Sequence, residues 1–131
     1  MLSEELTLPL FIIESAKLKE KQYYYFNCEY MGDVRSAFLF RFEGVIYSYL
    51  NQCVHMPFQL NCQKDTVFSE SKTHLKCSMH GIVYNPVTGE SLSPTMCTGE
   101  KLTAIEIVES KGDIWAKDIN VQAILDIESS A

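Results

Sequence analysis

Cys53-Val54-His55, followed by Cys77-Ser78-Met79-His80, sets the terms on which the rest of this chain is read. The pattern is C-x-H and then C-x-x-H. Each half places a thiolate and an imidazole on one short loop, aimed at one point. The chain has three histidines, and this pattern uses two of them. Two sulfur and two nitrogen donors suit a tetrahedral structural zinc site. They equally suit an iron–sulfur centre in which histidines replace two of the usual four cysteines. A hydrolase built on a Cys–His pair is a weaker reading, because the pairs are too local and no orienting third group is evident.

The residues around the pattern separate the two metal readings. His80 is followed by Gly81-Ile82-Val83-Tyr84-Asn85-Pro86-Val87-Thr88-Gly89-Glu90, which resembles the H-G-x-x-Y/F-x-x-x-T-G-E stretch of Rieske domains. Upstream, residues 40–52 resemble the strand–turn–strand that leads into the first Rieske loop. The resemblance covers about residues 37–117. It implies an all-β fold of small antiparallel sheets with a cluster-binding subdomain, about residues 51–96, formed by two loops. It implies one [2Fe-2S] cluster per chain, with Cys53 and Cys77 on the inner iron and His55 and His80 on the outer one. Neutral imidazoles carry less negative charge than thiolates, so the reduced cluster is better stabilised and the potential rises.

Departures from the family pattern are informative. High-potential members carry an extra cysteine in each loop, joined as a disulfide; here Phe58 and Met79 hold those places. Such members also have a serine after the H-G pair that donates to a cluster sulfur, and here it is Ile82. Fewer donors to sulfur leave the more negative reduced state less stabilised. The expected potential is therefore near the low end of the Rieske range, about −150 mV. Tyr84 acts in the other direction, since it occupies the place of a tyrosine that bonds a ligand sulfur in high-potential members.

Bulk properties agree. At 131 residues the chain reads as one domain, residues 1–131, long enough to bury a real core. A net charge of −6 argues against binding nucleic acid or an anionic membrane. The apolar run at 8–13 is too short to span a bilayer, and Glu4 and Glu5 precede it where a signal peptide would be basic. Five cysteines cannot all pair, so Cys28, Cys62 and Cys97 are expected as reduced thiols, and the expected location is the cytoplasm.

Strand signals run along most of the chain. Tyr23–Tyr30 alternates Tyr24, Phe26, Cys28 and Tyr30 on one face with Tyr23, Tyr25, Asn27 and Glu29 on the other. Met31-Gly32-Asp33 reads as a turn. Residues 37–42 put Phe38, Phe40 and Phe42 on one face, and Glu43-Gly44 makes a tight hairpin into Val45–Leu50. Residues 102–109 and 113–117 form a second hairpin across Ser110-Lys111-Gly112. Residues 2–6 suit a short turn, and 121–127 fit helix or strand equally. Residues 63–65 and 69–72 are a polar excess between the ligand loops, read as a lengthened surface hairpin with 66–68 and 74–76 as its arms. His74 lies on one arm and is expected to point away from the loop tip. Ser93-Pro94-Thr95 resembles the proline-containing third loop beside a Rieske cluster, and Pro57 stiffens the first.

A lone cluster of this kind passes single electrons. Rieske oxygenases add a mononuclear iron held by two histidines and a carboxylate in a separate domain. One spare histidine and no spare domain leave that site unbuilt in this reading, and the sequence also lacks a Gly-rich nucleotide fingerprint. The expected function is a soluble ferredoxin, not an enzyme. It would pass electrons from a flavin-dependent reductase to a terminal oxygenase or another redox protein, and a monomer is the plain expectation for such a shuttle. The alternative is a non-catalytic Rieske small subunit or redox-sensing module of a larger complex. Docking is expected at the loop tips, where Met56, Pro57, Met79 and Pro94 ring the two histidines.

Overall fold

A computed structural model describes residues 9–53, 59–61, 66–77, 81–92 and 100–124. Nine strands and one 3-10 turn make up the regular structure of those residues. The central sheet is formed by β2 (Tyr23–Tyr30), β3 (Asp33–Phe42), β4 (Val45–Leu50) and β9 (Val121–Gln122) in the order β4-β3-β2-β9. A second sheet contains β1 (Leu10–Glu14), β7 (Ile107–Ser110) and β8 (Asp113–Ala116) in the order β1-β8-β7. The third is the small pair β5 (Leu75–Lys76) and β6 (Val83–Tyr84). Every strand pairing within the three sheets is antiparallel.

Three hairpins use the same device. Met31-Gly32, Glu43-Gly44 and Lys111-Gly112 each have positive φ at both positions, 52° and 94°, 53° and 79°, and 54° and 82°. Two-residue turns of that hand match the right-handed twist of the flanking strands, and glycine takes the second position without steric cost. At the second of these turns the Glu20 carboxylate accepts the Glu43 and Gly44 N–H groups at 2.6 and 3.0 Å. Those two bonds hold the Glu20 carboxyl below its usual range.

β3 is the spine. Its alternation sends Phe38, Phe40 and Phe42 into one core and Ala37 and Leu39 into another. The first core is aromatic. Phe40 meets Phe38, Tyr47, Tyr49 and Phe68 with ring centroids 5.5 to 6.1 Å apart, and β5 and β6 close it with Leu75 and Tyr84. The second core is aliphatic and lies against the β1-β8-β7 sheet, with Ile12, Leu18, Leu50, Ile105, Ile114 and Val121. Arg41 fastens the sheets: its Nε donates to the Leu18 carbonyl at 2.7 Å, and its guanidinium sits 3.3 Å from the Glu109 carboxylate.

Some boundaries differ from the sequence reading. Asp33 begins β3 rather than ending the turn, and β3 therefore starts four residues before position 37. The run at 8–13 contributes β1, which alternation did not reveal because Phe11, Ile12 and Ile13 are all apolar. The strand expected at 102–109 pairs with β8 only from Ile107. Before that, the Leu50 N–H donates to the Thr103 carbonyl and the Ile105 N–H to the Ser48 carbonyl, at 2.8 and 2.9 Å. The segment thus crosses from the aromatic core, which holds Leu102, to the aliphatic core, which holds Ile105. Residues 121–122 are strand; residues 2–6 and 125–127 lie outside the described residues.

Candidate metal centre

Cys53 follows the end of β4 and Cys77 follows the end of β5, so two different hairpins deliver the two sulfurs into the aromatic core. Cys53 is 2% exposed and Cys77 is fully buried, and neither is in a disulfide. Tyr84 on β6 shares that core with them. Its hydroxyl lies 3.2 Å from the Cys53 Sγ, and the two groups share a hydrogen bond. The bond joins the two hairpins, because Tyr84 is the register partner of Leu75, two residues before Cys77.

Each loop is pinched at its base. In the first, Asn51 is buried at the exit of β4. Its side-chain oxygen accepts the Leu60 N–H at 2.8 Å, and its amide donates to Asn61 Oδ1 at 3.0 Å. Its own N–H donates to the Ser36 carbonyl at 2.9 Å. One side chain therefore clasps the start of the loop to its end, a role the sequence reading did not assign. Its only signal was an asparagine just ahead of the first ligand, a residue type that readily bonds nearby backbone. In the second loop, the Cys77 N–H donates to the Ile82 carbonyl at 2.9 Å, and the Gly81 N–H donates to the Cys77 carbonyl at 2.8 Å. Gly81 takes φ 71°, which lets the chain double back immediately after His80.

The Thr88-Gly89-Glu90 motif builds a support behind this loop. Asn85 Oδ1 accepts the Val87 and Thr88 N–H groups at 2.8 and 3.3 Å, and the Gly89 N–H donates to the Asn85 carbonyl at 2.7 Å. The Tyr49 hydroxyl donates to the Pro86 carbonyl at 2.9 Å, and burial pushes the Tyr49 phenol up to about 12. A Cβ on Gly89 would stand 2.8 Å from the Tyr49 ring, so only glycine permits this approach.

The polar excess between the loops forms a hairpin whose arms are not superficial. Val67, Phe68 and Leu75 are buried in the aromatic core, while residues 70–73 at the tip are exposed. The Lys76 N–H donates to the Val67 carbonyl at 2.9 Å. His74 is half-buried, with its Nδ1 2.9 Å from the Thr73 hydroxyl. Cys28 lies in the aliphatic core; burial pushes its thiol up, and Arg35 partly opposes that shift.

His55 and His80 lie outside the described residues, as do Phe58, Met79, Cys62, Cys97, residues 63–65 and the 93–95 stretch. Among the described residues no three His, Cys, Asp or Glu side chains gather as a metal site. The two sulfurs that are described fit an iron–sulfur cluster. They are buried thiols in no disulfide, and a phenolic O–H stands ready to donate to one of them once it binds metal as a thiolate.

Comparison with known proteins points the same way. The family model for the Rieske [2Fe-2S] domain matches residues 9–118. Among solved structures, the ferredoxin of carbazole 1,9a-dioxygenase from Nocardioides aromaticivorans IC177 superposes with a TM-score of 0.63 at 19% identity, covering 90% of this chain and all of that one. A complex of reduced oxygenase and oxidized ferredoxin in carbazole 1,9a-dioxygenase matches at 0.64 and 17%, covering 92% of this chain and 99% of that one. The reduced complex between oxygenase and ferredoxin matches at 0.63 and 22%, where 84% of this chain covers 27% of a longer one. At these identities the likeness is one of fold. No curated protein matches the chain. No helix among the described residues is long and apolar enough to cross a membrane.

Proposed function

Because the chain belongs to the Rieske [2Fe-2S] domain family, we propose that it is a ferredoxin, taking single electrons from a flavin-dependent reductase and passing them to an oxygenase or another redox protein. The bound [2Fe-2S] cluster supplies the redox chemistry, accepting and releasing one electron. The chain is an electron-transfer protein rather than an enzyme. Cys53 and Cys77 hold the inner iron, and His55 and His80 hold the outer one. The observation that carries this reading is the pair of buried thiols just after β4 and β5, with the Tyr84 hydroxyl bonded to the Cys53 sulfur.

The other residues prepare that centre. Phe38, Phe40, Leu60 and Ile82 keep water from the sulfurs. Asn51 and Gly81 hold the loops in shape before any metal arrives. Tyr84 donates toward Cys53, which stabilises the more negative reduced state. Residues 1–131 act as one Rieske-type domain, with the cluster-binding part at about 51–96. Its cysteine usage suits the reducing cytoplasm.

A carbazole dioxygenase ferredoxin of the same fold is found in complex with an oxygenase, which supports the choice of acceptor class. The match to part of a longer chain supports a second reading, a Rieske module of a larger oxidoreductase. Anaerobic purification followed by assays against a panel of flavin-dependent reductases tests the choice. A red-brown protein, reduced by one of them and reoxidised by an oxygenase, is the expected result. A large subunit that stays bound through purification favours the second reading, and a colourless zinc protein contradicts both.

A further inference from the structure

A cleft of about 200 Å³ opens beside Cys53. Leu50 and Cys53 line its apolar side, and Arg35, Gln52 and Lys101 are its polar walls. Two of its lining residues are cations and none is acidic. Among the described residues the ion pairs are Lys17–Glu14 and Arg41–Glu109, so neither Arg35 nor Lys101 is ion-paired with a described carboxylate. Arg35 is half-buried on β3, and its guanidinium donates to the Gln52 side-chain oxygen. Lys101 faces Glu90 in backbone register, yet the two side chains form no ion pair. The nearby Asp118 carboxylate accepts the Glu106 and Asn120 N–H groups, both at 2.9 Å, and forms no ion pair with Arg35.

This charge is anomalous for a chain with a net charge of −6. Charges more than about 8 Å apart are largely screened at physiological salt. What meets a partner at this spot is therefore the local pair of cations and not the total. Tyrosine and arginine are among the residue types that concentrate in protein interfaces, and Tyr30 and Arg35 both line this cleft.

We propose that the Arg35–Lys101 cleft receives an acidic side chain of the redox-partner protein, seating that partner beside Cys53. This rests on the electron-carrier reading above and names the chemistry of its partner. Guanidinium and ammonium groups flanking a cleft of this size suit a single Asp or Glu side chain.

Two measurements test it. In the first, the reduced holoprotein, freed of excess reductant, passes one electron to ferric EDTA, an anion bearing carboxylates, or to the cation hexaamminecobalt(III). Oxidation by ferric EDTA is expected to slow as salt rises, although the protein is an anion overall. Arg35→Glu/Lys101→Glu is expected to cut that rate about tenfold at low salt and to reverse its salt dependence, with no such loss for the cation. A wild-type rate that rises with salt, or an equal loss with both oxidants, overturns the proposal. In the second, a tetraglutamate peptide is titrated into isotope-labelled protein. The side-chain resonances of Arg35 and Lys101 are expected to shift, and the peptide is expected not to bind the double variant; shifts confined to another surface overturn it. This binding needs no cluster. Iron-free protein that still binds the peptide here keeps the cleft and loses the carrier reading, whereas iron-loaded protein that binds it elsewhere does the reverse.

Discussion

On one face of β3, Ala37 and Leu39 pack into an aliphatic core that holds, among the described residues, one sulfur, Cys28; on the other, Phe38, Phe40 and Phe42 pack into an aromatic core that holds two, Cys53 and Cys77. The aliphatic side is closed by the sheet of β1, β7 and β8, strands of four or five residues. The aromatic side is closed by strands of two residues, β5 and β6, and by loops. Regular strands satisfy their backbone by pairing. The aromatic side instead satisfies it through side chains such as Asn51 and Asn85, and its tyrosines carry hydroxyls that reach Pro86 and Cys53. Large rings with polar tips fill volume and still present donors to a buried site. Aliphatic side chains do only the first.

The sharpest way to break the comparison is to remove a sulfur from each side. Cys77→Ala is expected to abolish the red-brown colour and the bound iron entirely. Cys28→Ala, an equally buried thiol, is expected to keep full iron content and cost on the order of 1 kcal/mol. Metal analysis and denaturant unfolding of the two variants decide this. Equal iron loss from both would remove the distinction between the cores.

Truncating the spine is the next largest change. Phe40→Ala is expected to cost about 3–5 kcal/mol and Leu39→Ala about 2–5. The difference lies in the cluster: Phe40→Ala should hasten iron release to a chelator, while Leu39→Ala lowers the thermal midpoint with release nearly unchanged. Release that tracks stability alone in both variants would argue against a specialised aromatic side.

Much of this division is legible in the sequence, for stated reasons. β2 and β3 read as strands from their runs of aromatic and other apolar residues, continuous at Ala37–Phe40 because β3 has a core on each face, and the turns at both ends of β3 end in glycine. The ligand spacing and the H-G and T-G-E motifs carried the resemblance to the family. What stayed hidden depends on contacts distant in sequence. β1 has no alternation to read, since Phe11 packs edge-on against Trp115 on its outer side while Ile12 faces the core. Residues 102–106 keep a strand-like pattern but change partners, from β4 to the outer sheet. Asn51 looked like an ordinary loop residue, because its partners Leu60 and Asn61 lie across the ligand loop.

Asn51 also sharpens the comparison at smaller amplitude. Asn51→Ala leaves the buried Leu60 N–H without its acceptor, for an expected cost of about 1–3 kcal/mol. The loss should fall on the first ligand loop, seen as faster hydrogen exchange near Leu60 with unchanged protection in β7 and β8. The smallest expected effect on stability is that of Tyr84→Phe, about 1 kcal/mol. Its redox effect should be plain: without the donor to Cys53 the reduction potential falls. An unchanged potential in a cluster-loaded variant would show that the hydroxyl does not act on the bound sulfur.

The ligand set itself is most directly tested by electron spin-echo spectroscopy of the reduced protein. Two imidazole nitrogens are expected to couple to the cluster, with one coupling removed in His55→Ala and the other in His80→Ala, in whatever fraction of each variant retains iron. A reduced cluster with no nitrogen coupling, or nitrogen couplings that survive both substitutions, would contradict a centre held by Cys53, His55, Cys77 and His80.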